Sequence, residues 1–121
     1  MTKNPNSKQY DLEDRTAAFA RRVRSFVKKL RMTISNMEDG KQFIRSSGSV
    51  GANYIEANES LSKKDFVMRI KICRKEAKEC RYWLGLVDIN DAAEQEDDRK
   101  YLEKEATELM SIFGAILNKI T

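Results

Sequence analysis

The chain contains no histidine, and that absence removes several kinds of site from consideration. The Glu-x-x-His pairs that hold iron in four-helix carboxylate proteins cannot be built without histidine. Two cysteines without histidine also fall short of a typical structural zinc site. Gly48 and Gly51 lie inside an amphipathic pattern and lack the Lys-Ser/Thr ending of a P-loop. No pattern orders a nucleophile beside a base, so we expect a non-catalytic protein with no cofactor and no metal.

Proline and long apolar runs are scarce as well. The single proline, Pro5, lies near the N-terminus, which suits a body that is almost entirely helical. No apolar run approaches the roughly 18–20 residues that a membrane span needs. The opening stretch, MTKNPNSKQY, lacks the apolar core of a secretory signal. We therefore expect a cytoplasmic protein that does not enter a membrane.

Cysteine is limited to Cys73 and Cys80, which fall seven residues apart in one periodic stretch. On a helix this spacing separates the two Cα atoms by roughly 10 Å. A disulfide needs Cα atoms within about 7 Å, so the two cannot bridge within an intact helix. Both occupy apolar positions of the pattern, where a thiol behaves as a small hydrophobic group. We expect buried core cysteines.

A length of 121 residues allows one domain with a modest core. Hydrophobic residues make up 40% of the chain and charged residues 35%, which is a high charged fraction for a globular protein. The regular spacing of the apolar residues nevertheless argues against disorder. We interpret residues 1–10 as a flexible leader and residues 11–121 as a single domain.

The clearest helical pattern predicts a helix from Ser62 to about Val87. Ser62 and Asp65 have the spacing of a capping box, with the serine as N-cap. Trp83 widens the apolar seam near its end and is expected in the core. The seam residues recur at alternating steps of four and three, as in a packed helix: Phe66, Ile70, Cys73, Ala77, Cys80, Leu84 and Val87.

The same spacing predicts three further helices. The first runs from Asp11 to a stop at Gly40, the second from Lys41 to Asn58, and the fourth begins at the cap spacing of Asp91 and Glu94. Since every connection is short, the sequence predicts an all-α, antiparallel up-down-up-down four-helix bundle. Asp11, Glu13 and Asp14 are expected in the first turn of the first helix, near its dipole. The predicted inner faces contain Phe19, Val23, Phe26, Leu30, Ile34 and Met37 on the first helix, and Leu102, Leu109, Phe113, Ile116 and Ile120 on the fourth.

The second helix combines small residues with a broad apolar arc. Gly48 and Gly51 let another helix approach closely, and we expect the tightest contact between the second and third helices. The apolar arc is wider than one seam requires, and surplus apolar surface usually marks a contact with another chain. We therefore expect a homo-oligomer. The members of the arc are Phe43, Ile44, Tyr54 and Ile55.

The run RSSGSVGANYIEANE at residues 45–59 is followed by Asp65-Phe66, Glu76, Glu79 and Trp83-Leu84. This succession resembles the 23S rRNA-intervening sequence protein family over residues 40–90 or so. The resemblance implies a four-helix bundle, often assembled into a ring of five, and implies no settled activity. More distantly, the chain is similar to the accessory protein of diversity-generating retroelements. That similarity implies nucleic acid and a reverse transcriptase as partners.

Basic residues form two stripes outside the predicted seams. The net charge of +4 and the pI of about 9.1 admit an anionic partner. Nucleic-acid binding and an ordinary solvated surface both explain the stripes. Helices one and three are diagonal in such a bundle, so the stripes face different sides unless an oligomer brings them together. The first stripe contains Arg21, Arg24, Lys28 and Arg31, and the second contains Lys64, Lys71, Lys75 and Lys78. Acidic residues are concentrated instead on the fourth helix: Glu94, Glu96, Asp97, Asp98, Glu103, Glu105 and Glu108.

Other polar and aromatic residues of this region have two interpretations each. Glu56, Glu76 and Glu79 form either an acidic cluster for a metal or basic partner, or ion pairs at a helix boundary. Ion pairs are favoured because arginines are available nearby, namely Arg45, Arg69, Arg74 and Arg81. Asn53 is expected to form a hydrogen bond at a helix contact. Tyr82 points away from the seam and is either an ordinary exposed tyrosine or a residue that stacks on a base.

Three functions follow from these observations. The leading one is a homo-oligomer, with five subunits implied by the resemblance, that binds RNA, DNA or a ribonucleoprotein through its basic helix faces. The competing class is a protein-interaction scaffold or accessory subunit, for example for a reverse transcriptase. The third is an enzyme whose site forms only between subunits.

Overall fold

The structure, a computed structural model, describes residues 7–89 and 93–120. Four helices span these ranges: α1 (Ser7–Lys28), α2 (Ile34–Asn58), α3 (Lys63–Leu86) and α4 (Ala93–Ile120). Each helix packs on the next, and α4 returns to contact α1. The diagonal pairs α1–α3 and α2–α4 have no Cα atoms within 8 Å of each other among the described residues, and they meet only through core side chains. The described regular structure is entirely helical, so the predicted all-α bundle is confirmed.

Contacts between neighbouring helices show that they run in opposite directions. Arg15, in the first half of α1, contacts Glu105 near the middle of α4. Lys29, just after α1, contacts Glu94 in the first turn of α4. The same reversed order holds between α2 and α3, and short connections make it possible. The antiparallel up-down-up-down arrangement predicted from the sequence is the observed one.

The core lies along the bundle axis and is rich in aromatic rings. The rings of Phe26 and Phe43 meet edge to face with centroids 6.3 Å apart. Tyr54 and Phe113 join α2 to α4 with centroids 5.9 Å apart. The predicted seam of α3 is confirmed from Ile70 onward, whereas Phe66, the first residue of the predicted seam, is half-buried. The buried members are Ile70, Cys73, Ala77, Cys80, Leu84 and Val87.

Both cysteines are buried and free, as the sequence predicts. Burial disfavours the charged thiolate and raises the pKa of Cys73 and of Cys80 to about 12. The Ser46 hydroxyl lies 3.3 Å from the Cys80 Sγ. Because small side chains fill this contact, α2 and α3 approach closely, and they are the most extensively packed pair of helices. The expected tight contact between these two helices is therefore present.

The predicted boundary between the first two helices was wrong. Helix α1 ends at Lys28 and α2 begins at Ile34, so Gly40 lies inside α2 and does not stop α1. Thr33 is the N-cap of α2, and its hydroxyl accepts a hydrogen bond from the Asn36 backbone N–H at 3.1 Å. Ile34 is 84% exposed and Met37 46% exposed, so neither belongs to the core.

The start of α1 also differs from the prediction. The helix begins at Ser7, inside the stretch interpreted as a leader, and residues 1–6 lie outside the described residues. Because the helix begins earlier, Asp11, Glu13 and Asp14 fall after its first turn, where no acidic residue is found. They are therefore not the dipole-stabilising residues that the sequence predicted. The Glu13 carboxylate instead accepts a hydrogen bond from Asn58 at 2.8 Å.

The glycines of α2 serve close packing, but against α1 and not α3. A Cβ atom at Gly51 would lie 2.8 Å from the Thr16 Oγ1, and one at Gly40 would lie 3.0 Å from the Val27 Cγ1. Larger residues at these two positions would push α1 away. Close packing by glycine was predicted correctly, while the neighbour it serves was not.

Two buried side-chain amides form hydrogen bonds to the backbone of the connections at one end of the bundle. Asn36 donates to the backbone carbonyls of Arg31 at 3.0 Å and Asp88 at 2.9 Å, and accepts from the Asp88 N–H at 2.8 Å. Gln95 donates to the Lys29 carbonyl at 2.7 Å. Buried polar groups are stable only when hydrogen-bonded, so these amides fix where α1 ends and where α2 and α4 begin.

Helix α4 follows the prediction closely. Leu102, Leu109 and Phe113 are fully buried, while Ile116 and Ile120 are half-buried. The predicted cap residue Asp91 lies outside the described residues. None of the described helices is both long and apolar enough to span a membrane.

The apolar arc of α2 is mostly used within the chain. Phe43 and Tyr54 are buried, and Ile44 packs against the core. Ile55 alone among the four remains half exposed, at 51%. The arc therefore supplies less surplus surface than its width suggested, and the oligomer stays a prediction.

Candidate nucleic-acid interface

Helix α3 carries a row of exposed lysines, hereafter the α3 basic face: Lys64, Lys71, Lys75 and Lys78. At 3.6 residues per turn they occupy an arc of roughly 60° on the helix. The seam of α3 lies on the opposite side and is buried by α2 and α4, which turns this arc toward solvent. The sequence predicted these four positions as an outward stripe, and all four are exposed.

A shallow depression runs between the α3 basic face and α4. It has a volume of about 350 Å³ and is lined by Lys71, Arg74, Lys75 and Lys78 with Leu117 of α4. Arg74 was considered in the sequence only as an ion-pair partner for acid. Arg74 lines the depression together with Leu117 of α4, which brings a guanidinium to the same site.

The opposite wall of this region is formed by small residues of α4. A neighbouring hollow is lined by Arg74 and by Met110, Ser111, Gly114, Ala115 and Asn118. No carboxylate lies among these residues. Within the described chain, the lysines of the α3 basic face and Arg74 form no ion pair.

Helix α1 carries a second exposed basic surface, the α1 basic face: Arg21, Arg24 and Lys28. Arg24 donates to the Ala20 carbonyl at 3.1 Å and lies beside Gly48 of α2. The prediction that Arg31 lies on this helix was wrong, although Arg31 is exposed. Arg31 lies in the connection between α1 and α2, because α1 ends at Lys28. As expected for diagonal helices, the α1 and α3 basic faces lie on different sides of the bundle.

A third set of cations, two on α1 and one just after it, faces α4, and the sequence did not reveal its role. We call it the ion-pair ladder: Arg15–Glu105 at 2.7 Å, Arg22–Asp98 at 3.8 Å and Lys29–Glu94 at 2.8 Å. Its three cations are seven residues apart, a spacing that could have indicated a shared helix face. The Arg22 guanidinium also lies 3.8 Å from the centroid of the Tyr101 ring.

The ladder is strongest at Arg15, where both ends of the guanidinium engage one carboxylate. Nε and Nη2 of Arg15 donate to the two oxygens of Glu105 at 2.7 and 2.8 Å. These hydrogen bonds raise the pKa of Arg15. At the other end, the Lys29 ammonium lowers the pKa of the Glu94 carboxyl, and Glu94 raises that of Lys29. Much of the acid on α4 is thus directed at α1.

The acidic residues shared by α2 and α3 also form ion pairs, as the sequence favoured. Arg45 of α2 binds Glu76 at 3.3 Å and also contacts Glu79. Hydrogen bonding to Glu76 raises the pKa of Arg45. Ser49 donates to Glu76 at 3.0 Å, which stabilises the charge of a buried glutamate whose side chain is only 10% exposed. Glu56 is exposed and forms no ion pair among the described residues.

Asn53 and Arg69 extend this network toward the α2–α3 connection. Arg69 donates to the Asn53 Oδ1 at 2.9 Å, so the hydrogen bond predicted for Asn53 at a helix contact is confirmed. Arg69 therefore pairs with an amide and not with one of the glutamates. The described residues contain no group of three or more acidic or cysteine side chains arranged to hold a metal ion.

The adjacent aromatic residues Tyr82 and Trp83 point in different directions, as predicted. Trp83 is half-buried, and its indole N–H donates to Glu79 at 3.0 Å. Tyr82 is 61% exposed, and its ring meets the Trp83 ring edge to face with centroids 5.0 Å apart. An aromatic ring is thus available at the C-terminal end of α3.

Fold and surface together define a small all-α bundle with two outward-facing cationic helices. The sequence model described as 23S rRNA-intervening sequence protein matches residues 8–115 of this chain. The chain therefore belongs to the 23S rRNA-intervening sequence protein family, as the resemblance over residues 40–90 indicated.

A solved structure supports the same relationship. It is a crystal structure of a protein with unknown function from the S23 ribosomal protein family of Bacteroides thetaiotaomicron. The similarity has a TM-score of 0.75 at 29% sequence identity, and it covers 92% of this chain and 98% of the other. No match was found among curated proteins.

Proposed function

We propose that this protein acts by binding nucleic acid, without catalysis, and that phosphates bind along the α3 basic face. One observation carries the proposal: Lys71, Arg74, Lys75 and Lys78 line a single depression and have no acidic partner among the described residues. Packing does not require these exposed cations, and keeping four like charges together has an electrostatic cost. A polyanion in the depression would offset that repulsion.

The side chains present suit phosphate. Lysine supplies a mobile point charge, and the guanidinium of Arg74 supplies a forked set of donors that matches phosphate oxygens. Each phosphate that is neutralised releases condensed counterions, so binding is favoured at low salt and depends little on base sequence. A net charge of only +4 is sufficient because the ion-pair ladder keeps much of the acid of α4 away from α3.

The α1 basic face is a second contact in this proposal. It lies on another side of the bundle, so one straight duplex segment does not reach both faces of one protomer. An oligomer that places the α1 face of one copy beside the α3 face of another would join the two faces, and repetition would add avidity. Exposed apolar residues support self-association, since Ile34 is 84% exposed and Leu61 99% exposed. Light scattering at micromolar concentration checks this, and a 14.0 kDa species would contradict it.

The direct experiment is a salt titration of RNA and duplex DNA binding. The parent is compared with the variant Lys71→Glu/Lys75→Glu/Lys78→Glu. A control with the same charge change, Lys41→Glu/Lys100→Glu/Lys104→Glu, alters exposed lysines outside both basic faces. Affinity of the parent should fall steeply with salt, and the α3 variant should lose most binding and show a salt slope smaller by about 1 per lost phosphate contact.

Two results would contradict the proposal. One is a parent protein that binds neither nucleic acid at low salt. The other is an α3 variant that keeps the helix content of the parent by circular dichroism and binds as tightly as the control. The variant Arg21→Glu/Arg24→Glu/Lys28→Glu, measured in the same way, determines what the α1 basic face adds.

A second candidate function rests on the apolar side chains at the start of α2. Met32, Ile34 and Met37 are 61%, 84% and 46% exposed, a cluster of the kind that mediates protein contacts. It supports the scaffold or accessory role, for which the distant resemblance implies a reverse transcriptase. Ile34→Glu should then abolish co-purification with a reverse transcriptase. Unaltered co-purification would contradict this role for the cluster.

A further inference from the structure

Tyr82 continues the row of lysines on α3. At 3.6 residues per turn, the tyrosine falls within the same roughly 60° arc as the α3 basic face. The row from Lys64 to Tyr82 is about 27 Å long at about 1.5 Å per residue. Exposed lysines therefore precede an exposed aromatic ring along one line of the surface.

The ring of Tyr82 is held in place although it is 61% exposed. It packs edge to face on Trp83, with an interplanar angle of 73°. The indole N–H of Trp83 donates to Glu79, which also contacts Arg45 of α2. A ring that is restrained in this way loses little conformational entropy when a ligand stacks on it.

The surroundings of Tyr82 differ from those of the lysines. Lys78 and Arg81 line a hollow with Tyr82, and Glu103 of α4 lines it as well. The carboxylate of Glu103 repels a phosphate at this point but accepts hydrogen bonds from the amino groups of a base. The hollow at Tyr82 therefore suits a neutral base, while the depression around Lys71 and Lys75 suits phosphates.

We infer that the α3 basic face with Tyr82 binds single-stranded nucleic acid in preference to duplex, with an unpaired base stacked on the Tyr82 ring. The inference rests on the proposed function and names its substrate class. Proteins that bind single strands combine a cationic groove for the backbone with aromatic side chains for the bases. In a duplex the base faces are already stacked on one another, so Tyr82 gains no partner there.

The test is fluorescence anisotropy at one low salt concentration with a labelled single-stranded RNA and the duplex of the same sequence. The parent should bind the single strand more tightly. Tyr82→Ala should weaken single-strand binding by roughly 5- to 150-fold, the range that one lost base stack corresponds to, and leave duplex binding unchanged. Tyr82→Phe keeps the ring and should bind as the parent does. Tyr101→Ala removes an exposed tyrosine of α4 as the matched control.

An abasic oligonucleotide gives a measurement that does not depend on a variant. It should bind the parent about as weakly as intact RNA binds Tyr82→Ala. The inference is overturned if duplex binds the parent as tightly as the single strand, or if Tyr82→Ala binds the single strand as the parent does. In either case, loss of binding by the Lys71→Glu/Lys75→Glu/Lys78→Glu variant would leave the proposed function standing. A parent that binds no nucleic acid would overturn both.

Discussion

Helix α4 contacts its two neighbours in different ways. Toward α1 it presents acid, and the contact is an ion-pair ladder with limited apolar packing. Toward α3 it presents Ser111, Gly114 and Ala115 near Arg74 and a single carboxylate, Glu103, near Lys78. The packing with α3 is more extensive but contains no ion pair among the described residues. One helix therefore neutralises the cations of α1 that face it and leaves those of α3 exposed.

The difference shows how a chain with a small net charge acquires a strongly basic surface. Opposite charges that pair inside the bundle contribute little to the field outside it, whereas cations with no acid nearby contribute fully. Arg15, Arg22 and Arg74 are all arginines, but only Arg15 and Arg22 have carboxylate partners on α4. Those ion pairs hold α1 against α4. The partner on the neighbouring helix, and not the residue type, separates a structural cation from a candidate binding residue.

The largest effect should come from removing the apolar core on which both sides of α4 depend. Phe113 is fully buried and lies against Tyr54. Phe113→Ala should lower the free energy of unfolding by about 3–5 kcal/mol, since the change leaves a cavity. Urea denaturation followed by circular dichroism measures it, with Lys104→Ala as the exposed control on the same helix. A loss below about 1 kcal/mol would show that charge and not packing holds α4.

Substituting glycines compares a tight helix contact with an open one. Gly51→Leu drives a side chain into Thr16 and should cost about 1–3 kcal/mol, with oligomerisation or solubility affected before helix content. Gly114 has no heavy atom within 4 Å of the position its Cβ would take, so Gly114→Leu should avoid a clash and raise stability by about 0.5–1 kcal/mol, because leucine is a better helix former than glycine. Equal melting temperatures for the two variants would refute the distinction.

A smaller effect is expected from the ion-pair ladder itself. A double-mutant cycle on Arg15 and Glu105 should give a coupling of about 1 kcal/mol, limited by solvent screening because the Arg15 side chain is 37% exposed. Lys29 and Glu94 are 51% and 72% exposed, so their coupling should be much weaker. Both couplings should fall in concentrated salt. A stronger coupling at Lys29–Glu94 than at Arg15–Glu105 would contradict the order proposed for the ladder.

The smallest effect near neutral pH should come from the thiols. With the pKa of Cys73 and Cys80 raised to about 12, both stay protonated in the fold, and iodoacetamide should label them only in denaturant. Unfolded thiols ionise near pH 9, so their contribution to stability is complete below that value and is lost between pH 9 and about 12. The double variant Cys73→Ala/Cys80→Ala should show a weaker decline over this window. Rapid labelling of the native protein would contradict the burial.

The sequence by itself determined the number of helices and most of the buried side of α3. Apolar spacing reports on neighbours three and four residues apart, and Ser62 caps α3 through a bond to the Asp65 N–H, only three residues away. Such signals are local. For the same reason the exposed positions of Lys64, Lys71, Lys75 and Lys78 followed from the seam on the other side of the helix.

The end of α1 was decided by tertiary structure. Leu30, Ile34 and Met37 continue the apolar spacing across the turn, so the local pattern indicates an unbroken helix. The turn is fixed by Asn36, which bonds to the backbone of Asp88, 52 residues further along the chain. No local pattern contains that contact. The misplacement of Arg31 on a helix follows from the same missing information.

Tertiary structure likewise decided which cations form ion pairs within the bundle and which remain unpaired on its surface. Arg15 meets a carboxylate 90 residues away because α1 and α4 are antiparallel in one register. Arg74 meets small residues because the C-terminal half of α4 lies opposite it. The spacing of apolar residues predicts which side of a helix faces solvent, because that spacing is a property of one helix alone. Which charge stands across from it depends on the register of two helices, and a single sequence pattern does not contain that register.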